Sequence, residues 1–270
     1  MDYEIKRTEL CNLYHQLNHC LFLTKHNTLI KDCYLSDNYC GNFHEIAKYI
    51  KEIPFLNGYT RPISYFKENG KIYGYEMDYL QDYITLGTML KSYNMPRNKQ
   101  YTLEIKKLLL FKLLKCLKKL NQYYIVGDIN TQNIMINEQG DAKIIDWENG
   151  HPINATLQSQ YLYLYSLSFV DNEIQEDSLK MFFCALSLLY ETDIEQLVRK
   201  LPSYMVFTVL NDLILEPNIR QYLADYAYEL NAGSGRVIYF GEYLKNIKDI
   251  SLSTIEEMRE KIEINYHNFW

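Results

Sequence analysis

The chain has 270 residues, 47% of them apolar and 23% charged, and a formal net charge of −6. That is enough for one large or two small domains with a sizeable core. An acidic balance without any basic block argues against duplex nucleic acid and anionic membrane as partners. The six cysteines, Cys11, Cys20, Cys33, Cys40, Cys116 and Cys184, form no CxxC pair and have no zinc-spaced histidines beside them. They read as reduced thiols of a cytoplasmic protein. No secretory apolar core opens the chain, and no apolar run is long enough to span a bilayer. Export into a host cell by a dedicated secretion machine leaves no such mark and stays open.

In chain order, LFLTKHNTLIKDCYL (21–35) reads as two strands around a turn at His26-Asn27, because β-branched and aromatic residues dominate it. FHEIAKYIKEI (43–53) reads as a helix capped by Asn42, with Phe43, Ile46, Ile50 and Ile53 at helical spacing. Pro54 and Asn57-Gly58 stop it. RPISYFKENGKIYGYEMDYL (61–80) reads as a hairpin turning at Glu68 to Gly70. LEIKKLLLFKLLKCLKKLNQ (103–122) is a long amphipathic helix. A polar loop, GDINTQN, and a hairpin, IMI-NEQGD-AKII, follow it. Asp177 is expected to open a helix, SLKMFFCALSLLYE, that is apolar on nearly all sides and therefore buried. IEQLVRKL, YMVFTVLNDLIL, NIRQYLADYAYEL and TIEEMREKIEINYH read as further helices. The GSGR at 233–236 lacks the lysine and preceding strand of a phosphate loop and reads as a turn. In QYLYLYSLS, Tyr161, Tyr163 and Tyr165 alternate; a half-buried strand explains this more simply than a phosphorylation strip. Strands give way to helices between Asp78 and Leu90, which sets the expected boundary between a small and a large part.

Asp128 and Asn133 are five residues apart in one loop, and Asp146 closes the hairpin that follows. Two carboxylates and an amide oxygen so placed suit Mg²⁺ and a hydroxyl proton, two requirements of phosphoryl transfer. The order of parts resembles the protein-kinase-like superfamily. Those parts are a strand lysine, a helix glutamate, a hairpin, a long helix, a D-x4-N loop, a second hairpin and an aspartate.

The resemblance covers about residues 20–215. It implies an α+β, bilobal protein-kinase-like fold in a single kinase-like domain. The small β-rich N-lobe with one helix would take 1–78, and the larger, mainly helical C-lobe 79–270. By the same resemblance Asp128 is the catalytic base, and Asn133 and Asp146 ligate Mg²⁺, which Mn²⁺ could replace. Lys31 pairs the ATP phosphates and Glu45 holds that lysine; Lys25 and Glu52 are the competitors for these two roles. Backbone groups at Glu76 and Asp78 bind adenine, Tyr75 is the gatekeeper and Met135 the floor. Asp177 braces the catalytic loop.

Three departures from the family pattern stand out. The first forty residues contain no glycine. A different turn, expected around Leu13 to His19, must therefore replace the family's glycine-rich loop. Val126-Gly127-Asp128 lacks the arginine that answers an activation-loop phosphate, so a regulatory partner or constitutive activity is expected instead. Asp146-Trp147-Glu148 lacks the glycine of the usual motif, and with Gly127-Asp128 it also resembles aminoglycoside and choline phosphotransferases. Glu76 and Asp128 are only 52 residues apart, too few for the helical insertion of that branch. The expectation is a bacterial or viral Ser/Thr protein kinase acting on a protein hydroxyl. A small-molecule kinase, a pseudokinase and a nucleotidyl transferase on the same scaffold are the alternatives.

Overall fold

The computed structural model describes residues 2–34, 43–91, 101–153, 167, 169–250, 256–258 and 260–261. The fold is α+β: a mixed six-stranded sheet comes first, and helices fill most of the remainder. Strand β1 (Asp2–Glu4) is followed by the short helix α1 (Leu10–Leu13), β2 (His15–Gln16), β3 (Leu21–Leu23) and β4 (Thr28–Asp32). Helix α2 (Phe43–Ile50), β5 (Ser64–Glu68) and β6 (Lys71–Asp78) complete this first part. The strand order is β1-β5-β6-β4-β3-β2, with β1 parallel to β5 and all other pairs antiparallel.

Both expected hairpins form, and their turns show why. Asn27 has φ 60°, and Asn69 and Gly70 have φ 53° and 73°. Asparagine and glycine are the residues that enter this left-handed region most readily. Alternation, with a register shift between Phe66 and Lys67 that turns Tyr73 to the opposite side from Tyr75, divides the sheet between two faces. Leu29, Tyr65 and Tyr75 face Phe43, Ile46, Ala47 and Ile50 of α2 in the main core. Phe22, Ile30, Phe66 and Tyr73 form a separate small cluster with Leu10 of α1. Gly74 marks the closest approach of β6 to β4: a Cβ there would lie 2.5 Å from the Lys31 carbonyl oxygen.

Beyond Asp78 come β7 (Ile84–Thr85), α3 (Leu86–Lys91), α4 (Leu103–Leu120) and β8 (Tyr124–Ile125). Strands β9 (Ile134–Ile136) and β10 (Ala142–Ile144) form the third expected hairpin and, with β7, a three-stranded sheet. Strand β11 (His151–Pro152) pairs with β8. Then follow α5 (Glu173–Tyr190), α6 (Ile194–Lys200), α7 (Val206–Leu213), α8 (Pro217–Asn231) and α9 (Gly241–Leu244).

Helix α5 is buried on all sides from Gln175 to Tyr190, as its composition predicts. It starts five residues earlier than expected, at Glu173 and not at Ser178. The Asn172 side chain accepts from the N–H groups of Ile174 and Gln175, so Asn172 is the cap and Asp177 lies inside the helix. At the other end, the buried Lys106 of α4 donates to the Leu189 carbonyl at 3.0 Å and pairs with Glu191 at 2.8 Å. A cation at a helix C-terminus is favourably placed.

Tyr161, Tyr163 and Tyr165, the proposed cap Asn42 and most of the C-terminal helix lie outside the described residues. Gly233 and Gly235 have φ 57° and 66°, so GSGR is a turn, as read from its composition. No described helix is long and apolar enough to cross a membrane.

Replacing Gly74 by alanine is expected to lower stability by about 1–3 kcal/mol, the usual cost of overpacking. Thermal melting checks it; an unchanged midpoint would show that β6 can move away from β4 without cost.

Candidate functional site

The β4–β6 ladder sets Lys31 opposite Tyr75 and buries it. Its ammonium cannot stay there unpaired. It meets Asp146 Oδ1 at 2.8 Å and is in close contact with Glu148 Oε1, both carboxylates coming from the turn after β10. Burial pushes the lysine pKa down, but Glu148 and Asp146 outweigh it and hold the value above the ordinary range. Burial pushes Glu148 up, with Asp146 adding to the rise and Lys31 opposing it. Two carboxylates share one cation, so the cluster as a whole is short of positive charge.

Asp146 adopts a left-handed conformation, φ 56° and ψ 42°, and begins a single 3-10 turn, Trp147–Asn149. Trp147 is buried, with its ring 5.0 Å from that of Tyr75 and 6.4 Å from that of Phe43. Its indole N–H donates to the Thr60 carbonyl at 2.8 Å. Tryptophan in this motif is thus a packing anchor between the turn, the sheet and α2.

The GDINTQN loop folds on itself. Asp128 accepts from the side-chain amides of Asn130 and Asn133, both at 3.0 Å. The Asn133 amide also donates to the Asp128 carbonyl at 2.9 Å. Ile145 N–H donates to the Asn133 carbonyl at 3.0 Å, which places Asn133 beside the residue preceding Asp146. With its amide N–H groups turned toward Asp128, Asn133 keeps its side-chain oxygen for another partner. That oxygen and the Asp146 carboxylate are hard donors of the kind Mg²⁺ takes.

Behind the loop, Val126 and Gly127 N–H groups donate to the two Asp177 oxygens, each at 2.8 Å. Lys180 of the same helix donates to the Gly127 carbonyl at 2.6 Å. Asp177 therefore braces the loop backbone from α5, as the sequence pattern anticipates.

A cleft of about 350 Å³ opens above Lys31 and Asp146. Met135 forms part of its wall, together with Leu21, Leu29, Thr60 and the stretch Met77 to Leu80. Clefts of this size suit small ligands. A turn at Asn18-His19-Cys20 lines it where a glycine-rich loop was missing. Asn18 Oδ1 accepts from the N–H groups of Cys20 at 3.0 Å and Leu21 at 2.8 Å. A side chain thus satisfies donors that a glycine loop would turn toward a ligand. A larger groove, about 800 Å³, lies between α4 and the α8–α9 region. Charged groups in it already pair with each other, Arg236 with Glu229 and Lys245 with Glu242.

Three expectations need correction. Glu45 does not hold Lys31: α2 buries Phe43, Ile46, Ala47 and Ile50, which leaves Glu45 on the outer face, paired with Lys48 at 2.8 Å. Glu52 and Lys25, the two competitors, are exposed as well. Glu76 does not face the cleft: it lies inside β6, paired with β4 on one side and β5 on the other. Its carbonyl accepts from Ile63 N–H at 2.7 Å, and its carboxylate from Thr28 at 2.5 Å and Ser64 at 2.7 Å. Tyr75 is fully buried, and its hydroxyl lies 3.2 Å from Glu148 Oε2, so Met77 takes the place at the cleft wall. Asp78 remains at the cleft, as expected. Glu148 is the site residue that sequence reading missed; its position two residues after Asp146 was the available signal.

No family model matches the chain, and no curated protein matches it.

Burial raises the Asp177 carboxyl to about 6, against the pull of its two backbone donors. The folded value lies above the ordinary 3.8, so the folded state keeps this proton to higher pH than the unfolded chain does. The stability Asp177 contributes is therefore greatest below about pH 4 and falls as pH rises through about 6. Asp177→Asn turns an amide toward a backbone N–H and is expected to cost about 1–3 kcal/mol. In urea unfolding, the gap between wild type and variant should be wider at about pH 4 than at about pH 7. An equal gap at both would contradict the assigned shift.

Proposed function

We propose that the chain is an ATP-dependent phosphotransferase with a bilobal, protein-kinase-like arrangement. Residues 1–78 form the small lobe and 79–270 the large one. The acceptor is a hydroxyl, that of a serine or threonine in a protein substrate. The observation that carries this reading is the contact of Lys31 with Asp146, 115 residues apart in sequence, at the floor of a cleft. The Asp128–Asn133 pair lies on the adjoining strand connection. A cation for phosphates, oxygens for a divalent metal and a carboxylate for a proton are the parts this chemistry requires.

The adenine ring would lie between Leu29 and Met135, with the backbone of Asp78 to Leu80 available to its polar edge. Lys31 would steady the phosphates. Asn133 and Asp146 would hold Mg²⁺, which supplies charge neutralisation between the phosphate oxygens. Asp128 would orient the acceptor hydroxyl and take its proton. Its carboxylate is held by two asparagine amides, so its orientation is fixed before any substrate arrives. Rate enhancement would come from positioning and electrostatics, with no covalent enzyme intermediate. The acidic net charge argues against nucleic acid and anionic membrane as partners. The scattered thiols support a cytoplasmic location, in the cell of origin or in a host.

The test is incubation with ATP labelled at the γ or at the α phosphate. The expected result is γ label on the protein or on a protein acceptor, reduced at least a hundredfold by Asp128→Ala and by Lys31→Met. Label from the α phosphate would replace phosphoryl by nucleotidyl transfer. ATP consumption without protein label would replace the protein acceptor by a small molecule. Full activity of Asp128→Ala would overturn the assignment of the base.

A further inference from the structure

Lys31 is held by two carboxylates, and one of them, Asp146, also stands at the cleft. If Asp146 is to coordinate a metal, it cannot also be the lysine's whole counter-charge. In the family that the sequence resembles, a helix glutamate fills this role, yet Glu45 points to solvent. The residue in place is Glu148. Its side chain is 8% exposed, against 32% for Asp146, so it lies behind the lysine, away from the cleft. Unlike Asp146, it does not line the cleft. The Tyr75 hydroxyl donates to its second oxygen at 3.2 Å, and Tyr75 packs between Trp147 and Phe43. Glu148 is thus fixed from two sides, while Asp146 has one oxygen toward Lys31 and stands at the cleft.

We propose that Glu148 is the positioning residue for Lys31, taking the place of a helix glutamate and leaving Asp146 free for the metal. The inference rests on the phosphotransferase reading for its functional consequence, but not for the tether itself. Both carboxylates come from one three-residue step, Asp146-Trp147-Glu148. The cation is therefore set by the same turn that sets the metal ligand. Outward movement of α2 does not carry the counter-ion away, so this helix is not the switch that disengages Lys31. Without Glu148 the ammonium has only Asp146 to neutralise it, and a metal ion must compete with lysine for that carboxylate.

Two measurements test this. The first is a double-mutant cycle on urea unfolding without nucleotide, using Lys31→Met, Glu148→Gln and the pair, with Lys31→Met and Glu45→Gln as the control cycle. The double variant at 31 and 148 should be more stable than the sum of the single losses predicts, because it removes both charges together and leaves neither without the other. The control cycle should be additive. Additivity at 31 and 148, or coupling at 31 and 45, would overturn the tether. The second is the Mg²⁺ dependence of ATP turnover. In Glu148→Gln the half-saturating Mg²⁺ concentration should rise at least fivefold, with rate partly restored by excess Mg²⁺; Glu148→Asp should recover part of the loss. Unchanged Mg²⁺ dependence with a wild-type rate would overturn the positioning role. A wild type with no ATP turnover would remove the phosphotransferase reading, and the unfolding cycle would then decide the tether alone.

Discussion

A buried ammonium must be neutralised where it lies, and the burial of Lys31 imposes that constraint on the surrounding structure. The lysine is fixed on β4 by ladders on both sides and by the close approach of Gly74. Its partners come from a turn more than a hundred residues later. To bring them there, β10 must reach the sheet. The connection is made at Gly58 to Thr60: Ile144 N–H donates to the Gly58 carbonyl at 2.7 Å, and Thr60 N–H to the Ile144 carbonyl at 3.0 Å. Trp147 completes the join by packing under Tyr75. The ion pairs are thus held by packing, which is the condition under which a buried ion pair keeps its geometry.

A second constraint acts on the loop that carries Asp128. Its backbone turns away from regular structure at Gly127, φ 75°, and would leave buried N–H groups without partners. Asp177 answers two of them from inside α5, and Lys180 answers the Gly127 carbonyl. Among the described helices, the one buried on all sides therefore supports the polar loop that carries Asp128. A buried carboxyl group is costly unless it has such partners.

Much of this was legible in the sequence, and the legible parts are local. Both asparagine turns, the β9–β10 hairpin and the apolar α5 follow from turn chemistry and periodicity over a few residues. The Asp128–Asn133 spacing places both side chains on one loop, and the loop needs nothing distant to close. The failures are tertiary or concern the lengths of elements. Glu45 was assigned to Lys31 by order of motifs, but the rotation of α2 is decided by which side is apolar. Glu76 was likewise assigned to the cleft by the order of motifs, but pairing with β4 and β5 on both sides keeps it inside the sheet. Glu148 could not be found from periodicity, because only the folded chain shows which glutamate meets Lys31.

The most direct measurement is calorimetric titration of ATP into the wild type and into Asp146→Asn, with and without Mg²⁺. If the cleft above Lys31 holds a nucleotide through a metal on Asn133 and Asp146, wild-type affinity rises when Mg²⁺ is added and the variant loses most of that gain. Binding that ignores Mg²⁺ in both proteins, or no binding in either, would contradict it.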